Sequence, residues 1–111
     1  MQFQQKHSLQ KRIQESARIL KKYPDRVPII CSPTANIKME KTNFLVPKDM
    51  TAGELMATIR ARTLLKKEDA IFMFVNNTIP INSILLSQLY DLHKHQDGFL
   101  YISYVEENTF G

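Results

Sequence analysis

From Leu9 to Tyr23 the apolar residues Leu9, Ile13, Ala17 and Leu20 recur at intervals of three and four, the spacing of one helical face. Ser16 and Tyr23 fall on the same stripe, which is therefore expected to be the buried one. Glu15 and Ile19 lie beside it, one turn apart. Ile19 either widens the buried face or forms the wall of a groove, and spacing alone leaves both open. Tyr23-Pro24 ends the helix, because the residue before a proline is pushed out of the helical region. Val27 to Cys31 reads as a strand in which Pro28 removes a ladder donor, so its N-terminal end is expected at an edge or to be irregular. Residues 32 to 42, with Pro33 and Asn36, read as a loop. Asn43 to Pro47 is a second strand with Phe44 and Val46 facing one way and Leu45 the other, and it pairs most simply with the first as a hairpin.

Thr51-Ala-Gly-Glu54 has the pattern of a capping box and opens a helix that is expected to run to about Leu65. Its buried face is Ala52, Leu55, Met56 and Ile59, with Thr58 and Arg62 at the margin. Arg62 is either an ordinary solvated cation or lays its stem on apolar surface and offers its head to an acidic ligand. Ala70 to Val75 is apolar on both faces, as in a strand covered on both sides or with one side facing a ligand. Asn76-Asn77 breaks it, Ser83 to His93 forms a short helix through Ile84, Leu85, Gln88, Leu89 and Leu92, and His95 to Gly98 turns into a last strand, Phe99 to Val105. Without the first helix, the order is hairpin, crossover helix and two further strands. That is an α+β order, the one found in a ubiquitin-like β-grasp, with a four-stranded mixed sheet and an added N-terminal helical region.

Charge changes this picture at one place. Residues 1 to 26 carry seven Lys and Arg against two acidic residues, a net +5, whereas the other 85 residues carry eight against nine, a net −1. The N-terminal segment is thus a face for acidic partners or an anionic surface. Nucleic acid is disfavoured, because the segment offers only Phe3 and Tyr23 for stacking and Tyr23 belongs to the apolar stripe. One cysteine, Cys31, excludes an intramolecular disulfide, and the first residues lack the apolar run of a signal peptide, which together point to a reducing compartment. The sequon Asn76-Asn77-Thr78 carries no weight there. No apolar stretch approaches the roughly 18 residues that span a bilayer.

Candidate catalytic chemistry is sparse. Cys31 sits in an apolar strand with no base beside it and reads as a core residue rather than a nucleophile. His93 and His95 are two apart with no completing ligands, so neither a metal site nor a cofactor is expected. Glycines occur only at 53, 98 and 111, which leaves no phosphate-cradling loop. The chain is not expected to be an enzyme.

Several separate blocks carry a resemblance. Lys21-Lys-Tyr-Pro-Asp-Arg-Val-Pro-Ile-Ile-Cys31, Phe44-Leu-Val-Pro47, the helix containing Ile59-Arg-Ala-Arg62, Ala70 through Pro80, Asp97-Gly-Phe-Leu-Tyr101 and Glu107-Asn-Thr-Phe-Gly111 closely resemble the autophagy ubiquitin-like modifiers of the GABARAP type, nearly end to end. The resemblance implies a basic helical extension over residues 1–26, a ubiquitin-like domain over 27–105 and a mobile conjugation tail over 106–111. It also implies that Gly111 is activated through thioesters on partner enzymes and joined to the amine of phosphatidylethanolamine. Thr109 and Phe110 would be held by the conjugating enzymes and by a processing or delipidating cysteine protease. The catalytic cysteines belong to those partners. The chain would be cytoplasmic, and on the autophagosome membrane when lipidated.

The family also binds receptor and adaptor peptides of the form aromatic, two residues, aliphatic, which add a strand to the sheet. By position, the aromatic pocket would comprise Glu15, Ile19, Pro28, Ile30, Leu45 and Phe99. The aliphatic pocket would comprise Phe44, Val46, Pro47, Met50, Leu55, Ile59 and Arg62, with Thr58 at its edge. Arg26 and Lys41 would meet acidic flanking residues. Roughly micromolar affinity, near −8 kcal/mol, is expected. Asn43 stands where the family usually has lysine, which weakens the preference for acidic residues inside the motif. Thr58 and Leu55 replace larger apolar residues, implying a wider and more polar second pocket. The loop over 32–42 is shorter than usual, and His7-Ser8-Leu9 lacks a helix-breaking proline. An alternative reading is an unconjugated adaptor in vesicle traffic or on the cytoskeleton that uses the same pockets.

Overall fold

The computed structural model describes residues 2–33, 42–62 and 70–107. Its elements are α1 (Gln2–Lys6), α2 (Leu9–Lys22), β1 (Arg26–Pro33), β2 (Asn43–Pro47), α3 (Ala52–Ala61), β3 (Ala70–Phe74), α4 (Leu86–His93) and β4 (Leu100–Glu107). The sheet order is β2-β1-β4-β3. β1 and β4 are parallel at the centre, with Ile29 beside Leu100, and the outer pairs are antiparallel. This is the β-grasp expected from the element order, with an N-terminal helical region added.

The alternation in β1, β2 and β4 separates two faces. Val27, Ile29, Cys31, Phe44, Val46, Leu100, Ile102 and Tyr104 point into the core, where they meet Leu55 and Ile59 of α3 and Leu86 and Leu89 of α4. Pro28, Ile30 and Phe99 are buried on the other side of the sheet. The helix starting at Ala52 is capped as its sequence predicts: Thr51 Oγ1 accepts from the Glu54 amide at 3.1 Å, and Glu54 Oε1 accepts from the Thr51 amide at 3.2 Å. Asn76 and Asn77 both adopt positive φ, 48° and 64°, and Val75 and Thr78 exchange backbone hydrogen bonds across them. Two left-handed residues in succession are what a tight hairpin turn requires, and asparagine tolerates them.

Three expectations change and one holds. The stripe on α2 is buried only in part: Ser16 is 3% exposed and Leu20 is half-buried, while Leu9 and Ile13 are 37% and 42% exposed and Ala17 is exposed. The expectation for Pro28 holds: β1 is interior, but its N-terminal end, Arg26 to Pro28, pairs with β2 alone, and the ladder to β4 starts one residue later at Ile29. α4 begins at Leu86 rather than Ser83, and of the positions named on it Leu89 is buried while Leu92 is 69% exposed. β4 continues through Glu106 and Glu107, which pair with Ile71 and Ala70, so the ladder runs two residues past Val105. The expected end of α3 near Leu65 and the positions of Lys41, Thr109, Phe110 and Gly111 lie outside the described residues.

Candidate functional site

Two conditions rotate α2 onto the sheet. The Asp97 carboxylate is wholly inaccessible to solvent, so donors must surround it. Arg12 Nη1 donates to Asp97 Oδ2 at 2.7 Å, the Tyr101 hydroxyl donates to the same oxygen at 2.5 Å, and the Phe99 amide donates to Oδ1 at 2.9 Å. The backbone then admits the helix closely. Gly98 has φ +91°, and Ser16 packs so near its Cα that an added Cβ would collide with the Ser16 side chain. Ser16 Oγ in turn donates to the Asp97 carbonyl at 2.5 Å. Burial pushes the Asp97 carboxyl up, but the hydrogen bonds from Tyr101, the Phe99 amide and Arg12 outweigh it and hold the group below its usual value. Burial and the adjacent carboxylate push Tyr101 up to about 12.

A carboxyl whose pKa is lower folded than unfolded binds fewer protons in the native state. Its stabilisation is therefore complete above the unfolded value, 3.8, and is lost as pH falls through the folded one. Urea midpoints are expected to fall as the solution is taken below about pH 4, and Asp97→Asn should flatten that part of the profile. An unchanged slope in the variant would mean that other carboxylates drive the loss.

With α2 so rotated, its groove side faces β2 and encloses a cavity of about 790 Å³. That volume is in the range of ligand pockets. Glu15, Ile19, Pro28, Ile30, Leu45 and Phe99, brought from α2, β1, β2 and the start of β4, all line it. Phe3 and His7 also line it, and the sequence reading did not include them. Phe3 meets the edge of Phe99 with ring centroids 5.2 Å apart, and His7 packs on Phe3 at 5.0 Å. The short α1, ended where Ser8 caps α2 by accepting from the Lys11 amide, thus supplies a wall to the cavity. Lys11, Arg18 and Asn43 stand among its polar lining residues. Glu15 pairs with Arg18 at 2.6 Å, and that hydrogen bond lowers the Glu15 carboxyl from its usual value. Both side chains are well exposed, so the pair steers charge at the mouth more than it stabilises the fold.

The residues named for the aliphatic pocket gather between β2 and α3, but most are core. Leu55 and Ile59 are 0% exposed, Phe44 and Val46 are buried, and Pro47 and Met50 are half-buried. A side chain entering here reaches Leu55 and Ile59 only if β2 and α3 part. Arg62 is exposed and places its guanidinium carbon 5.8 Å from the centroid of the Phe44 ring, which sets a cation over that seam. The Thr58 hydroxyl donates to the Glu54 carbonyl at 2.9 Å, so its polarity is already satisfied within the helix. Arg26 is exposed and opposite Pro47 in the β1–β2 register. Among the described residues β2 is an edge strand of the sheet, with β1 as its neighbour.

Reactive groups do not converge here. Cys31 is buried on the opposite side of the sheet, and burial pushes its thiol up to about 12, which keeps it protonated and inert at neutral pH. Among the described residues no group of three or more His, Cys, Asp or Glu is placed to hold a metal, and no helix is long and apolar enough to cross a membrane.

A parallel β1–β4 centre, a helical cover on one face and an aromatic-walled cavity beside an edge strand define a ubiquitin-like protein. The family described as Autophagy protein Atg8 ubiquitin like matches residues 11–111, and the chain belongs to that family. It is similar to autophagy-related protein 8 of Mycosarcoma maydis, 46% identical over 98% of this chain and 95% of that protein. The corresponding protein of Schizosaccharomyces pombe is 45% identical over 99% and 93%. Among solved structures, Trypanosoma brucei ATG8 matches with a TM-score of 0.90 at 34% identity, covering 100% of this chain and 98% of that one. Plasmodium falciparum Atg8, solved with a peptide of Plasmodium falciparum Atg3, matches with a TM-score of 0.85 at 30% identity over 93% and 94%.

Proposed function

We propose that this protein is a modifier joined through Gly111 to phosphatidylethanolamine on autophagic membranes, where its groove recruits receptors bearing aromatic-x-x-aliphatic motifs. It performs no catalysis of its own; activating and conjugating enzymes, and a cysteine protease that trims or releases it, supply the reactive cysteines. It is cytoplasmic until lipidated and then resides on the autophagosome membrane. The observation that carries this reading is the cavity lined by Ile19, Pro28, Ile30, Leu45 and Phe99 beside the edge strand β2. An aromatic side chain of the ligand enters the cavity and its backbone extends the sheet along β2. The aliphatic residue two further positions along then falls at the seam of β2 and α3, with Arg62, Arg26 and Lys41 meeting acidic flanks. The Atg3 peptide held by the Plasmodium relative supports a role for the conjugating machinery among the partners.

Titration with an aromatic-x-x-aliphatic peptide tests this reading. Binding is expected at roughly micromolar Kd, and Leu45→Arg, which drives a cation into the cavity from an edge strand, should weaken it about a hundredfold, about 2.7 kcal/mol. Equal affinity in the two proteins would place the groove elsewhere.

A further inference from the structure

Ile19, Pro28, Ile30 and Leu45 give the peptide cavity apolar walls that favour no particular shape of guest. An aliphatic side chain gains from them nearly what an aromatic one gains for the same area. A preference for an aromatic guest needs a ring for it to meet. Phe99 is 3% exposed, which leaves little of its ring to touch, and Phe44 is 8% exposed and belongs to the core. Phe3 is half-buried and lines the cavity, so its ring has surface to offer. It meets the edge of Phe99 at an interplanar angle of 75°, and the His7 ring packs on it at 52°. The two phenyl rings form a corner in which a third ring can meet one face and one edge. Five residues are too few to hold α1 as a helix on their own. Arg12 ties it down: Nε donates to the His7 carbonyl at 3.1 Å and Nη1 to Asp97 Oδ2 at 2.7 Å. One guanidinium thus joins the end of α1 to the turn that leads into Phe99. Phe3 and His7 precede residues 11–111, the part of the chain that the family match covers.

We propose that Phe3 is the residue that makes the cavity select an aromatic anchor over an aliphatic one, its ring in contact with the guest and Arg12 and His7 positioning it. The inference rests on the groove reading above and adds to it the element that sets the choice of ligand. A helix outside the ubiquitin-like sheet then decides which peptides the sheet accepts.

The test uses the full chain and three peptides that differ only at the first anchor, which is tryptophan, phenylalanine or leucine. The chain contains no tryptophan, so the emission of the tryptophan peptide reports its own burial, and the other two peptides are read by competition against it. The parent should bind the tryptophan and phenylalanine peptides more tightly than the leucine peptide. Phe3→Leu keeps an apolar wall and removes the ring, and it should cut the ratio of tryptophan to leucine affinity about fivefold, the worth of one aromatic pair. Phe3→Tyr returns a ring and should restore the ratio. Phe3→Ala removes the wall as well and should weaken all three peptides. A ratio in Phe3→Leu equal to that of the parent overturns the proposal, including the case in which a loss of fold weakens all three peptides by one common factor. Tighter binding of the tryptophan peptide by Phe3→Ala overturns it too, for α1 would then be a lid that competes with the guest. If the parent binds none of the three peptides, the groove reading fails and this inference with it, whereas binding with an unaltered ratio keeps the groove and removes only the role of Phe3.

Discussion

Removing Gly111 is expected to abolish conjugation, with neither a thioester on the activating or conjugating enzymes nor a lipidated product after incubation with ATP and phosphatidylethanolamine liposomes. The proposed chemistry takes place at the terminal carboxyl carbon, which must reach a cysteine sulfur and then an amine inside enzyme active sites. Glycine presents that carbon without a Cβ and adopts backbone angles that other residues resist. The shortened chain would present the carboxylate of Phe110, with a bulky ring on the α-carbon. A loss of at least about a hundredfold in rate follows, or about 2.7 kcal/mol of transition-state stabilisation. Peptide affinity should stay the same, because the cavity is built from α1, α2, β1, β2 and Phe99. Lipidation that survives the deletion would sink the conjugation reading and favour an unconjugated adaptor working through the same groove.

Asp97→Ala is expected to be the most destabilising single change away from the core, and to damage the groove at a distance. The substitution strips Arg12, Tyr101 and the Phe99 amide of their shared acceptor in a site with no solvent access. Breaking a buried ionic cluster by removing one partner costs about 3 to 5 kcal/mol. For a chain of this size that corresponds to a fall in Tm of more than about 10 °C. Glu15 and Ile19 line the cavity from the helix that this cluster seats, so peptide binding should weaken along with stability. Ser16→Ala is the milder comparison: it removes the hydrogen bond to the Asp97 carbonyl and leaves the carboxylate satisfied, for a loss of about 1 kcal/mol. If Asp97→Ala unfolded no more easily than Ser16→Ala, the carboxylate would not be what holds α2.

The relation between α2 and the sheet shows what a linear pattern can carry. Local periodicity marks Leu9, Ile13, Ala17 and Leu20 as one face, and the helix itself is present from Leu9 to Lys22. Which way that face points depends on Asp97, 85 residues from Arg12 and 81 from Ser16, a pairing that leaves no trace in the spacing of either segment. The polar cluster prevails because a buried carboxylate without donors costs more than two aliphatic side chains left half in water. The same limit hid Phe3 and His7. A five-residue helix has too little sequence to announce an apolar face, and its wall of the cavity exists only because Phe99 stands opposite.

The sequence by itself determined the elements from α2 to β4 and their order, the Thr51–Glu54 cap, the inward set of β2, and the positions from which Ile19, Pro28, Ile30, Leu45 and Phe99 meet. These depend on short-range rules of periodicity, capping and strand alternation, and on blocks shared with a family. Tertiary structure alone decided the rotation of α2 and the enclosure of the cavity by Phe3. Each of those depends on which distant groups must satisfy one another once water is excluded, and that condition is set by the assembled sheet rather than by any segment of the chain.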